Sequence, residues 1–144
     1  NIQGEEGRYY GLPVYEVPGF KFGRYHHRDE TMVSPDTMRR EVDATDEALL
    51  RQFGERYFPD GSGPTMALRA CMFTNTTDEH FVIDHHPAHK QVVIASPCSG
   101  HGYKFCSVIG EILADLATGD GRTAHDIGFL RLDRLALTDA STLR

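Results

Sequence analysis

Residues 92 to 118 constrain this chain more than any other stretch. Val92-Val93-Ile94-Ala95-Ser96 reads as a buried strand. A small-residue turn follows, Ser99-Gly100-His101-Gly102-Tyr103-Lys104. Beyond it, Phe105, Val108, Ile109, Ile112, Leu113 and Leu116 recur at steps of three and four, which places them on one face of a helix from about Gly102 to Ala117. A strand, a tight turn and a half-buried helix offer backbone N–H groups to an electron-rich ligand. Lys104 is out of place there, because a cation in a first helical turn opposes the helix dipole. Either its ammonium reaches water along an apolar stem, or it faces an anion or a cofactor.

The remainder reads as strands and helices in an antiparallel arrangement. Asn1 to Gly7 shows no periodicity. Arg8 to Val17 is rich in aromatic and branched residues and reads as a strand. Pro18-Gly19 turns the chain, and Phe20 to His26 alternates as the partner strand. Its phenylalanines share one side, while Lys21, Gly23 and Tyr25 share the other. Ser34-Pro35-Asp36 starts a short helix to about Val42. A second helix starts near Asp43 or Thr45 and carries Leu49, Leu50, Phe53 and Tyr57 on one face, before a surface loop from Pro59 to Pro64. Met66 to Thr76, His80 to Asp84 and Ile127 to Leu132 read as further strands, and Gly119 as a helix C-cap.

Composition excludes some functions. The formal net charge of −6 speaks against a nucleic-acid partner. No apolar run approaches the roughly 18 residues that span a bilayer, and no basic-then-apolar leader opens the chain. The 3 cysteines cannot all pair, which favours a reducing compartment such as the cytoplasm or one thiol with a task. No Gly-x-Gly-x-x-Gly occurs, so a complete dinucleotide-binding unit is not expected within the chain.

Several side chains carry chemistry. Cys71 is either a small residue on a strand or a nucleophile able to form a thioether. On local pattern Lys21 is a solvent-face lysine. His101, between two glycines, either hydrogen-bonds a ligand or caps the helix. Asp84, His85, His86 and His89 are metal-ligand types, but neighbours on a turn diverge and Pro87 opposes a helix, so no metal is expected. A serine-hydrolase elbow is absent around Ser99.

Taken in order, these segments resemble the monomeric sarcosine oxidase and N-methyltryptophan oxidase family. Cys71-Met72-Phe73-Thr74-Asn75-Thr76-Thr77-Asp78-Glu79-His80 is similar to the segment carrying that family's covalent flavin cysteine. Val92 to Lys104 is similar to its last core strand and the turn beneath the flavin. Gly19-Phe20-Lys21-Phe22-Gly23 resembles its Gly-x-Lys segment, and Tyr9 to Pro13 its substrate-pocket strand. Tyr25 stands where sarcosine oxidase has a histidine, and Ser96-Pro97-Cys98 replaces a more usual Ala-Gly-aromatic run.

The resemblance implies an α+β chain, with an antiparallel substrate-domain portion over residues 1–76. Residues 77–144 would be the closing strand, turn and helix of an FAD-binding domain whose Rossmann unit lies upstream. It implies FAD joined through Cys71, with Phe73, Gly100, His101, Gly102 and Lys104 against the cofactor. Lys21 would activate dioxygen, Tyr10 and His26 would line the pocket, and Lys104 would also meet the substrate carboxylate. The implied reaction turns an N-methyl amino acid and dioxygen into an imine and hydrogen peroxide. A C-terminal piece alone would be inactive, would need the missing N-terminal portion as partner, and would tend to self-associate through exposed flavin-facing surface. A non-catalytic binding or assembly module with Cys71 free, and a histidine-rich metal protein, are the competing classes.

Overall fold

The computed structural model describes residues 2–4, 6–29 and 34–134. The fold is α+β, with two small antiparallel sheets and two α-helices among the described residues. It divides into two compact units, Asn1–Met72 and Phe73–Arg144.

In the first unit, β1 (Ile2–Gly4), β2 (Gly7–Leu12) and β3 (Lys21–Arg24) form a sheet in that order. The opening residues, which lack a pattern of their own, are thus recruited as an edge strand by pairing Ile2 with Tyr9. The β2–β3 register pairs Tyr9 with Arg24, Tyr10 with Gly23, Gly11 with Phe22 and Leu12 with Lys21. Residues opposite one another share a face. Tyr9, Gly11 and Phe22 therefore lie on one face, and Tyr10, Leu12, Lys21 and Gly23 on the other. Strand β2 stops at Leu12, not at Val17, because Pro13 has no N–H for the ladder. Only an isolated bridge between Tyr15 and Val17 remains of the expected extension.

The Tyr9 face carries α1 (Ala44–Tyr57). Asp43 caps this helix, accepting from the N–H groups of Thr45 and Asp46, while the Asp46 carboxylate accepts from Asp43 N–H in return. The Phe53 ring stacks on Tyr9 at 3.7 Å between centroids and lies 5.7 Å from Phe22. Of the four apolar residues expected on this face only Phe53 is fully buried. The short helix expected over 34–42 is a single 3-10 turn, Pro35–Thr37, capped by Ser34. A two-turn helix with few apolar contacts does not repay its nucleation cost. The Arg39 guanidinium instead bonds Glu41 O and the Asp46 carboxylate.

In the second unit β4 (Val82–His85) and β5 (Val93–Ser96) form an antiparallel hairpin, with Ile83 opposite Ala95. Helix α2 (Cys106–Thr118) packs on it and ends at Gly119, whose N–H donates to Asp115 O. Phe81, Ile83, Ile109, Ile112, Leu116 and Leu130 make the core. The expected helix start at Gly102 is later in the structure, after a 3-10 turn at Tyr103–Phe105.

Two expected strands are not strands. Residues 66–76 find no ladder partner among the described residues, and alternation alone cannot make a strand without a neighbour's N–H and C=O groups. Ile127 to Leu132 contains a 3-10 turn, Gly128–Leu130, that buries Leu130. The N–H of Leu132 goes to the Asp84 carboxylate at 3.0 Å rather than to a strand. No helix among the described residues is long and apolar enough to cross a membrane.

Candidate functional site

In the first unit the β2–β3 register decides what stands together. Tyr10, Lys21 and Gly23 share the face turned away from α1, and Tyr25 continues it, since Tyr25 N–H donates to Arg8 O at 2.9 Å. The Tyr10 and Tyr25 rings meet edge to face at 5.3 Å, and the Arg8 guanidinium lies over the Tyr25 ring at 4.2 Å. Burial pushes the Tyr10 phenol above its ordinary pKa, with the nearby Cys71 and Tyr25 adding to the rise. Cys71 is exposed and in no disulfide. The Lys21 side chain is exposed. His26 is also exposed, with φ at 50°, in the turn after β3 and so outside the ladder that orders the other residues.

The second unit organises the turn from Ser99 to Lys104. Ser99 is 2% exposed and has a left-handed backbone, φ 49°, rare for a residue with a side chain. The energy comes back through its bonds. Its N–H donates to Thr74 O at 2.9 Å, and its Oγ contacts Thr76 N, Thr76 Oγ1 and His80 O at 3.3–3.4 Å. Gly100 follows at φ 73°. At Gly102 a Cβ would fall 1.6 Å from Pro97 O, so only glycine fits against that carbonyl.

His101 Nε2 lies 3.0 Å from Glu79 O. A carbonyl can only accept, so Nε2 carries the proton in this bond. The ring packs against Phe81 at 4.8 Å. Lys104 resolves its electrostatic conflict locally, donating to His101 O at 3.1 Å and lying 5.0 Å from the Phe105 ring, before α2 begins. No side chain caps α2. Phe73 is half-buried in the irregular segment whose Thr74 carbonyl receives Ser99.

That segment is held by a further bond set. The Arg134 guanidinium clamps the Asp78 carboxylate at 2.7 and 2.9 Å, while Thr76 Oγ1 and His80 N–H also donate to it. Arg134 holds the Asp78 carboxyl well below the usual carboxylate range.

Replacing Ser99 separates the two terms at its position. Ser99→Ala keeps the strain and leaves Thr76 N–H short of an acceptor, at a cost of about 1–3 kcal/mol. Ser99→Gly loses the same bonds but regains roughly 1 kcal/mol of strain. Urea unfolding followed by circular dichroism is expected to rank stability as parent, then Gly, then Ala. An alanine variant more stable than the glycine variant contradicts this account.

The histidine cluster is spent on its own turn. His86 Nδ1 accepts from Ala88 and His89 N–H, and His85 Nδ1 bonds Lys90 O. Among the described residues no group of three or more His, Cys, Asp or Glu side chains converges to hold a metal. Arg8 and Asp46 escape a motif-based reading. The faint signals are the Arg8–Tyr10 alternation and the Asp43-x-x-Asp46 spacing of a capping box.

The sequence model of the FAD dependent oxidoreductase family matches residues 4–116. The chain belongs to this family. A monomeric sarcosine oxidase of Bacillus sp. (strain NS-129) is 48% identical over 138 residues, which are 94% of this chain and 35% of that protein. Human peroxisomal sarcosine oxidase is 37% identical over 109 residues, 75% of this chain and 28% of that protein. An N-methyl-L-tryptophan oxidase of Citrobacter koseri is 36% identical over 128 residues, 88% and 33% respectively. The chain thus spans about a third of the length of the curated relatives it matches.

The residues present in this FAD dependent oxidoreductase fit the cofactor that the family name carries. An exposed, unpaired thiol at Cys71 is chemically able to bond a ring methyl carbon. The exposed ammonium groups of Lys21, in the first unit, and of Lys104, in the second, are each cations of the kind that stabilise negative charge.

Proposed function

We propose that the protein is a flavin-dependent oxidase of secondary amines of the N-alkyl amino acid type, using dioxygen and releasing hydrogen peroxide. The observation that carries this is the free, exposed Cys71 thiol, near enough to Tyr10 to add to the rise of its phenol, on whose sheet face Lys21 also lies. The names of the relatives support the substrate class. Residues 1–76 are taken as substrate-domain chain and 77–144 as FAD-domain chain.

When bound, FAD supplies the two-electron acceptor chemistry. Cys71 would hold it through a thioether, and Phe73, Gly100, His101, Gly102 and Lys104 would contact it. Tyr10 and His26 would border the amine. Lys104 would meet its carboxylate, in exchange for the bond to His101 O. Lys21 would place a positive charge where dioxygen is reduced.

The FAD-loaded protein, denatured in acid, is expected to remain yellow, with the flavin mass on the peptide containing Cys71. Cys71→Ser is expected to release all of it. A colourless denatured parent sinks the covalent attachment. Absence of peroxide from the complete, FAD-loaded protein in a peroxidase-coupled assay with sarcosine and related N-methyl amino acids sinks the oxidase reading.

A further inference from the structure

We propose that Gly23 sets the depth of the amine pocket by serving as the shelf on which the Tyr10 ring lies, a specificity role for a residue with no side chain. The inference rests on the functional reading above, which makes the Tyr10 face the substrate face. Tyr10 and Gly23 are directly paired across β2 and β3. A Cβ on Gly23 would fall 2.7 Å from the Tyr10 hydroxyl oxygen and 2.8–2.9 Å from Cζ and Cε1 of the ring. The outer end of the ring therefore lies flat over the glycine, as rings do when they cover a strand glycine from the neighbouring strand.

Gly23 has an ordinary negative φ, so backbone conformation does not demand a glycine here. What demands it is the ring. The atoms a methyl group would strike belong to the far end of one side chain, so the ring yields and the sheet does not. A ring forced off the shelf can only stand up from the sheet, and its edge contact with Tyr25 leaves it little room sideways. Standing, it enters the volume above Lys21 and Gly23 that an amine would occupy. Larger N-substituents lose that volume first.

Gly23→Ala tests this with two readouts. The chain has 6 tyrosines and no tryptophan, so in the flavin-free protein phenolate absorbance near 295 nm reports tyrosine alone. In the parent the Tyr10 phenol titrates above its ordinary range, and Tyr10→Phe identifies its transition. In Gly23→Ala that transition is expected to fall to the ordinary range near 10. In the FAD-loaded protein, KM for an N-methyl amino acid is expected to rise about tenfold with kcat within about threefold. KM for an N-ethyl or N-propyl analogue is expected to rise further. An unmoved Tyr10 transition overturns the shelf, whatever the parent's activity. A moved transition with unchanged KM overturns the specificity role alone. A complete, FAD-loaded parent that oxidises no secondary amine overturns the functional reading and the specificity role together.

Discussion

Lys21→Met is expected to slow reoxidation of the reduced, FAD-loaded protein by dioxygen roughly 100- to 1000-fold, the usual effect of removing one preorganised electrostatic group. Reduction by the amine should change by no more than a few fold. The asymmetry follows from where charge develops. Dioxygen gains negative charge as it accepts electrons, and an ammonium in place beforehand lowers that cost without reorganising. Amine oxidation passes its electrons to the flavin, whose wide ring would spread the charge, so a single ammonium matters less to that half-reaction. Lys21 suits the first task. It sits on a ladder position opposite Leu12, is exposed, and none of the ion pairs formed among the described residues includes it. Methionine keeps the length of the stem and removes only the charge. Stopped-flow absorbance separates the two half-reactions. If both slow equally, Lys21 has a structural role and the charge argument is wrong.

How much of this was legible beforehand depends on the range over which each signal acts. Two-residue alternation around Lys21, Gly23 and Tyr25 predicts a shared face, and the observed register places them so. The three-and-four spacing of Ile109, Ile112 and Leu116 predicts the buried stripe of α2, and these three are buried. Both signals are local and require only the regular geometry of one element. Met66 to Thr76 alternates just as well, yet it forms no ladder, because a strand also needs a partner and alternation does not name one. Ile127 to Leu132 fails for a related reason: the Asp84 carboxylate, 48 residues away, takes the N–H of Leu132. In the candidate site, Tyr10 could be placed by pattern, but the contacts that fix it could not. Arg8 over Tyr25, Tyr10 over Gly23 and Ser99 against Thr76 all join residues at least 13 positions apart. FAD, and every role tied to it, came from resemblance and not from periodicity.

The same reasoning singles out Asp46, which no motif marks as central, for the largest effect on stability. The residue is 5% exposed, and its carboxylate gathers three stretches of chain. It accepts from both Arg39 terminal nitrogens at 3.0 and 3.1 Å, from Arg28 at 3.3 Å, from His27 at 3.0 Å and from Asp43 N–H at 2.9 Å. The turn after β3, the segment before α1 and the helix itself meet there. Asp46→Asn keeps the shape but removes the charge, leaving the exposed Asp43 carboxylate as the one the Arg28 and Arg39 guanidinium groups still face, at 3.2 and 3.6 Å. Breaking buried pairs from one side costs about 3–5 kcal/mol, and the partial exposure of Arg28 and Arg39 brings the expectation to about 2–3 kcal/mol. The pH dependence has a definite sign. The Arg39 guanidinium, then the Asp43 N–H, hold the Asp46 carboxyl well below the usual carboxylate range. A depressed folded-state pKa contributes stability above the unfolded value, near 3.9, and loses it as pH falls toward the folded value. Parent and Asp46→Asn should therefore differ fully at pH 6 and draw steadily together as pH falls below about 4, where the unfolded chain takes up the proton before the folded one does. Urea midpoints across that range measure the difference. A gap that stays constant down to pH 2 would show that the side-chain charge contributes nothing and that packing alone makes Asp46 costly to replace.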